Sequence, residues 1–142
     1  MFTEAINHKK ILKPLFLELK EDVRKAIQYA IHSEEMLEKA SKYRPSRDQL
    51  PSTLLISAYL NDAQQNRAQN FTENDSMDFI HAVPSILVSD FVLLDKAWCN
   101  RTMRAESYLI SNGINLKLAR RYWGNTEQLT QFFTDLSSFT LT

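Results

Sequence analysis

Asp90-Phe91-Val92-Leu93-Leu94-Asp95-Lys96 is the stretch that decides the fold class of this chain. Its central residues form an uninterrupted apolar run rich in strand formers, with an aspartate on either side. A short run of this kind, bounded by polar residues, is typical of a fully buried strand in a parallel sheet. Because a helical segment of the same length has the same pattern, an all-α domain stays open as the alternative.

Helical patterns flank this run on both sides. Only two glycines and four prolines occur in 142 residues, which favours long helices joined by short connections. The longest predicted helix covers residues 15–42, follows Pro14, and has one apolar stripe at spacings of three and four. The stripe comprises Phe16, Leu19, Val23, Ala26, Ile27, Ala30, Ile31, Leu37 and Ala40.

Further segments complete the predicted architecture. Helices are expected at residues 4–13, from Pro51 onward, at 77–88 after a cap at Asp75 or Ser76, at 96–111, and from Asn125-Thr126 to about residue 136. Residues 114–118 are a second candidate strand. The prediction is a predominantly helical α/β fold in a single domain, residues 1–142, whose helical N-terminal part is 1–47. About five or six helices would surround a parallel sheet of two to three strands.

The composition excludes several classes of protein. A lone cysteine, Cys99, rules out an internal disulfide and a cysteine-rich zinc site. No segment approaches the roughly 18 apolar residues that a membrane span needs, and the N-terminus lacks the apolar run of a signal peptide. We therefore expect a cytoplasmic protein without a membrane partner. Residues 48–99 hold seven acidic and two basic side chains, which suits a metal site as well as an ordinary solvated surface.

Aspartates recur around the apolar run at spacings that bring two of them together. If the preceding helix leads into a parallel strand, helix and strand run antiparallel. The helix N-terminus, with Asp78, then lies beside the carboxyl end of the strand, where Asp95 follows and where open α/β sheets bind ligands. Asp90 lies at the opposite end, roughly 15 Å away at about 3.3 Å per residue. Asp75, one helical turn before Asp78, is the nearest third carboxylate.

The pair Asp78 and Asp95 has the chemistry of a divalent cation site. Carboxylate oxygens are the ligands that Mg²⁺ and Mn²⁺ prefer. Such an ion polarises a phosphodiester and lowers the pKa of a bound water, which makes a hydrolytic nucleophile. On the alternative interpretation, each aspartate only stabilises the N-terminal end of its own helix.

Three segments carry a resemblance to a known family: Leu50-Pro51-Ser52, Asn74-Asp75-Ser76-Met77-Asp78-Phe79-Ile80-His81-Ala82, and Asp90-Phe91-Val92-Leu93-Leu94-Asp95-Lys96. They resemble the C-terminal portion of PIN-like nuclease domains, over about residues 50–109. The resemblance implies a PIN-like part in residues 48–142. It also implies a Mg²⁺- or Mn²⁺-dependent nuclease acting on RNA or DNA, or a degenerate relative of one, with Asp78 and Asp95 as metal ligands. Asp75 joins them as a catalytic candidate on its spacing. PIN-like domains also open with a strand that ends in a further metal-binding Asp, whereas residues 1–47 are predicted to be helical.

Other residues extend or compete with the nuclease hypothesis. Arg101 and Arg104, one turn apart and soon after Asp95, are the candidate contacts to nucleic-acid phosphates. His81 and the cluster Arg120-Arg121-Tyr122-Trp123 are explained more simply by packing and solvation than by catalysis or base stacking. The second hypothesis is a non-enzymatic interaction module, in which the amphipathic helix 15–42 docks a protein partner or a second copy of the chain.

Overall fold

The computed structural model describes residues 2–67 and 71–139, which form six helices and two strands. In chain order these are α1 Phe2–His32, α2 Glu34–Lys42, α3 Pro51–Gln65, α4 Glu73–Val88, β1 Phe91–Leu94, α5 Lys96–Ser111, β2 Arg120–Trp123 and α6 Thr126–Ser138. The predicted fold class, a predominantly helical α/β domain with a small parallel sheet, is confirmed. The all-α alternative is excluded because β1 and β2 pair in parallel.

The first strand lies where the apolar run predicts it, but it is less buried than expected. β1 pairs in parallel with β2, from Phe91 opposite Arg120 to Leu94 opposite Trp123. No residue of β1 is fully buried, and Leu93 is 49% exposed. The prediction of full burial was wrong because the sheet in the described part of the chain has only two strands, which leaves one edge of β1 unpaired.

The second strand begins after the segment 114–118 in which it was predicted. α5 has 16 residues and is about 24 Å long at 1.5 Å per residue, whereas the four residues of β1 span only about 13 Å. The C-terminal end of α5 therefore lies beyond the start of β1. The chain must run back to that start before β2 can pair with β1. Ala119 donates its backbone N–H to Ile86, and Arg120 donates to Asp90, which aligns β2 with the beginning of β1.

The N-terminal helices divide at a serine instead of at the proline. α1 continues through Pro14, and the break comes at Ser33, whose Oγ accepts the backbone N–H of Met36 as the N-cap of α2. A serine N-cap followed by two glutamates is a strong helix start. The apolar periodicity continues across Ser33, so it predicts one helix where the structure has two. Helix α2 ends at Lys42, the predicted last residue, with Tyr43 as its C-cap.

A single core holds the site elements in place. Helices α3 and α5 pack against each other and against α4 through fully buried side chains: Leu54, Leu55, Ala58, Ile86, Ala105 and Leu109. A smaller cluster of Ile27, Ile31 and Phe71 joins α1 to this core. The start of the predicted stripe stays outside it, since Phe16 and Leu19 are each 48% exposed. No helix in residues 2–67 or 71–139 combines the length and apolar character needed to cross a bilayer.

Candidate metal centre

Asp78 and Asp95 reach the same pocket from different elements. Asp78 lies in the second turn of α4, while Asp95 directly follows β1 and caps α5, its Oδ1 accepting the backbone N–H of Trp98 at 2.8 Å. The reversal of the chain at Ser89 and Asp90 brings the start of α4 beside the end of β1. A cavity of about 210 Å³ lies between them, lined by Asp78, His81, Ala82, Ser85, Val92, Leu93, Leu94, Asp95 and Trp98.

The electrostatics of the pocket centre on Asp78. Burial raises the pKa of this carboxyl above its ordinary value, and the negative charges of Asp95 and Asp75 raise it further. The indole N–H of Trp98 and the nearby His81 act in the opposite direction. Among the described residues, no lysine or arginine forms an ion pair with Asp78 or Asp95. As far as the structure describes the chain, the pocket thus gathers negative charge without a lysine or arginine in its lining.

Asp75 lies close to this pair, but its two oxygens are already engaged. The structure places the cap of α4 at Thr72, earlier than the predicted Asp75 or Ser76. Asp75 Oδ2 accepts the backbone N–H and the hydroxyl of Thr72, at 2.7 and 2.8 Å, which completes a capping box. Its Oδ1 lies 3.4 Å from Nη2 of Arg101. Asp75 therefore holds the start of α4, and its negative charge raises the pKa of Asp78 although Asp75 does not line the pocket.

The two candidate phosphate contacts differ in how much of each side chain is accessible. Arg101 is 15% exposed, paired with Asp75, and its guanidinium lies 5.2 Å from the centre of the Trp98 ring and 5.5 Å from that of Phe71. Arg104 binds both oxygens of Asp62, yet 46% of its side chain remains exposed. Both guanidinium groups are partly neutralised by a carboxylate.

The remaining candidates lie at the edge of the pocket or away from it. His81 is exposed on its rim. Asp90 lies at the other end of β1 with Lys117 at 3.9 Å, apart from Asp95 as the strand geometry predicts. The cluster from Arg120 to Trp123 forms β2, where Arg121 pairs with Glu106 at 2.6 Å and the Tyr122 hydroxyl donates to Asp135.

Trp98 lines the pocket, and the sequence did not single it out as a site residue. It is only 3% exposed, and its indole Nε1 is shielded from solvent without an acceptor in hydrogen-bond geometry. A buried donor left unpaired costs about 1–3 kcal/mol, so its position against the acidic pocket requires an explanation. The apolar pattern of α5 predicts Trp98 as an inward residue. The available signal was its position three residues after the capping Asp95, which puts it at the pocket end of the helix.

Donor chemistry decides which group this pocket fits. In the described residues, no group of three or more His, Cys, Asp or Glu side chains is arranged to hold a metal ion. Among the described side chains, the carboxylates of Asp78 and Asp95 are therefore the candidate ligands from the protein. This pair suits Mg²⁺ or Mn²⁺, because Mg²⁺ usually keeps several waters and binds through one or two carboxylates together with phosphate oxygens.

Comparison with known proteins adds no relative to this picture. The chain matches no protein-family model, no curated protein and no solved structure. Its function has to be inferred from the arrangement of its own residues.

Proposed function

We propose that this chain is a PIN-like, metal-dependent nuclease domain that binds Mg²⁺ or Mn²⁺ through Asp78 and Asp95 and acts there on RNA or DNA phosphodiesters. The main supporting observation is the meeting of these two carboxylates in one pocket that no lysine or arginine of the described chain neutralises. A divalent cation between them would relieve their repulsion. When bound, the ion would polarise the scissile phosphodiester and lower the pKa of a water ligand.

Three charged residues would assist the cation site: Asp95, Arg101 and Arg104. Asp95 is oriented by the backbone of α5, which holds its Oδ1, and its other oxygen would bind the ion. Arg101 balances Asp75 and keeps that carboxylate from adding its full charge to the pair. Arg104 is the better phosphate contact of the two arginines, because nearly half of its side chain stays exposed beside its bond to Asp62.

Cleavage assays with defined metal ions test this proposal directly. Single-stranded RNA and DNA, labelled at one end, are incubated with the protein and Mn²⁺ or Mg²⁺, and with EDTA in place of the metal. We expect metal-dependent cleavage that Asp78→Asn and Asp95→Asn abolish, whereas Asp90→Asn, a change at the other end of the same strand, leaves it intact. Cleavage that survives both Asp78→Asn and Asp95→Asn would show that this pair is not the active site, and a wild type that does not cleave would contradict the nuclease assignment.

A second candidate function is favoured by the surface of α1. Four large apolar side chains near its N-terminal half are 48–56% exposed: Leu15, Phe16, Leu17 and Leu19. Contiguous exposed apolar residues mark interaction surfaces, so a partner protein or a second copy could cover this face. Sedimentation velocity over a hundredfold range of concentration tests the second copy. Self-association that Phe16→Glu abolishes supports it, and a monomer throughout leaves only a different partner.

A further inference from the structure

Trp98 approaches both carboxylates of the candidate metal centre, each through a different N–H group. Its backbone N–H donates to Asp95 Oδ1 at 2.8 Å. Trp98 also lines the same cavity as Asp78, and its side chain lowers the pKa of that carboxyl. In the part of the chain that the structure describes, Nε1 nevertheless has no acceptor in hydrogen-bond geometry, although it is shielded from solvent. A buried donor without an acceptor therefore belongs to a residue that shares a cavity with the Asp78 carboxyl.

The indole ring is held too firmly to be the partner that moves. It packs edge-to-face on Tyr59, with ring centres 5.5 Å apart, and against Phe79 at 6.3 Å. The guanidinium of Arg101 covers its face at 5.2 Å. The backbone carbonyl of Trp98 accepts the Thr102 hydroxyl at 2.8 Å, which fixes this turn of α5 as well. Asp78 is half-buried and has no ion pair in the described chain, so no such contact holds its carboxyl in one orientation.

We propose that Trp98 is a positioning residue for the cation site, whose indole N–H donates to one carboxylate oxygen of Asp78 and turns the other oxygen toward the ion. This inference rests on the proposed cation site. Carboxylates that bind metals are commonly held by a neighbouring hydrogen bond, and the loss of such a partner typically weakens metal binding by 10–100-fold. Trp98 then sets the spacing of both ligands, through its backbone to Asp95 and through its side chain to Asp78.

Nitrogen-15 NMR of the indole groups tests the contact itself, without metal. The chain has two tryptophans, so Trp123→Phe assigns the remaining indole signal to Trp98. We expect Asp78→Ala to shift this signal and to speed its hydrogen exchange, while Asp90→Ala leaves both unchanged. A Trp98 indole signal that is the same in wild type and Asp78→Ala would overturn the proposal. This arm keeps Trp98 in place and does not depend on the folding of a tryptophan variant.

Calorimetric titration with MnCl₂ tests the positioning role. Trp98→Phe retains an aromatic ring but removes the donor, and Trp123→Phe is the matched control on β2. We expect the Mn²⁺ affinity of Trp98→Phe to fall by about tenfold or more, and that of Trp123→Phe to stay at the wild-type value. An unchanged affinity in a folded Trp98→Phe variant, checked by circular dichroism, would overturn the role.

The two arms separate this inference from the proposed function. If wild type binds no Mn²⁺, the cation site fails and the positioning role fails with it, whatever the metal-free spectra show. If wild type binds Mn²⁺ and Asp78→Asn abolishes binding while Trp98→Phe does not, the cation site stands and only the role of Trp98 is lost.

Discussion

Arg104 holds Asp62 through two parallel hydrogen bonds, from Nε to Oδ1 at 2.5 Å and from Nη2 to Oδ2 at 3.0 Å. The pair joins α5 to α3 across 42 residues of sequence. It is asymmetric, because Asp62 is 8% exposed and Arg104 is 46% exposed. The hydrogen bond to Asp62 and its charge raise the pKa of Arg104, which keeps the guanidinium charged. Loss of the arginine would leave the buried Asp62 carboxylate without a cation, with only Asn66 Nδ2 donating to its Oδ1 at 3.1 Å.

We therefore predict that Arg104→Ala lowers the free energy of unfolding by about 1–3 kcal/mol, the usual cost of a buried polar group that loses its hydrogen bond. Urea unfolding of Arg104→Ala, Asp62→Ala and the double variant gives the coupling between them. The exposed pair Glu38 and Lys42 is the control, and its coupling should be close to zero. Equal couplings in the two pairs would contradict a structural role for Arg104.

Mn²⁺ is predicted to stabilise the protein through Asp78 and Asp95. A ligand at 100 times its dissociation constant stabilises the folded state by about 2.7 kcal/mol, which raises the melting temperature by several degrees. Asp78→Asn and Asp95→Asn should lose this increase, and Asp90→Asn should keep it. Asparagine can still cap α5, so the change at Asp95 tests the ligand and not the helix start. A wild-type melting temperature that saturating Mn²⁺ leaves unmoved would exclude the site.

Without metal, Asp78→Asn is predicted to stabilise the protein. The pKa of Asp78 is raised by burial and by the charges of Asp95 and Asp75, so its ionised form is less favourable in the folded state than in the unfolded state. The stability that Asp78 contributes in its protonated form is therefore complete below the unfolded pKa of an aspartate. This stability is lost as the pH rises through the folded pKa. The free energy of unfolding of Asp78→Asn should therefore exceed that of wild type by less than about 1 kcal/mol at pH 7 and should equal it near pH 3. A gain of the same size at both pH values would point to a cause other than ionisation.

We predict that the protein loses stability at alkaline pH because Tyr59 is buried. Burial raises the pKa of Tyr59 to about 12, although the hydrogen bond with Thr102 acts in the opposite direction. Because the folded pKa lies above the unfolded value near 10, stability is complete below pH 10 and falls between pH 10 and 12. Tyr59→Phe should be less stable than wild type at pH 8, having lost the bond to Thr102, and should lose less between pH 10 and 12.

Unfolding curves at pH 8, 10, 11 and 12 measure this effect. Tyr29→Phe, at an exposed position on α1, serves as the control and should follow the wild type at every pH. Parallel curves for wild type and Tyr59→Phe across the alkaline range would show that Tyr59 does not ionise in the folded state at a raised pKa.

Local patterns in the sequence predicted the parts of the fold that depend on neighbouring residues. The apolar run gave β1 at its observed position, and Pro51 gave the start of α3. The antiparallel arrangement of a helix and the strand that follows it was enough to place Asp78 and Asp95 on one pocket and Asp90 away from it. The placement of the three aspartates could be predicted because it depends only on the directions of α4 and β1 and on the short connection between them.

Features that depend on distant residues could not be predicted in the same way. The position of β2 follows from the length of α5 relative to β1, and not from the composition of residues 114–123. The bond between Asp62 and Arg104 has no local signature, because each residue alone resembles an ordinary solvated charge. The orientation of the Trp98 indole is set by Tyr59 and Phe79, which belong to two other helices.

All walls of the carboxylate pocket come from residues 78–98, a continuous stretch of 21 residues. Closing so short a segment carries a small loop-entropy cost, whereas the pairing of β1 with β2 must wait for the whole of α5. We therefore expect the pocket to form early during folding, ahead of the docking of α1. A substitution that loosens the N-terminal helices would then slow the final assembly of the domain while the two aspartates are already facing each other.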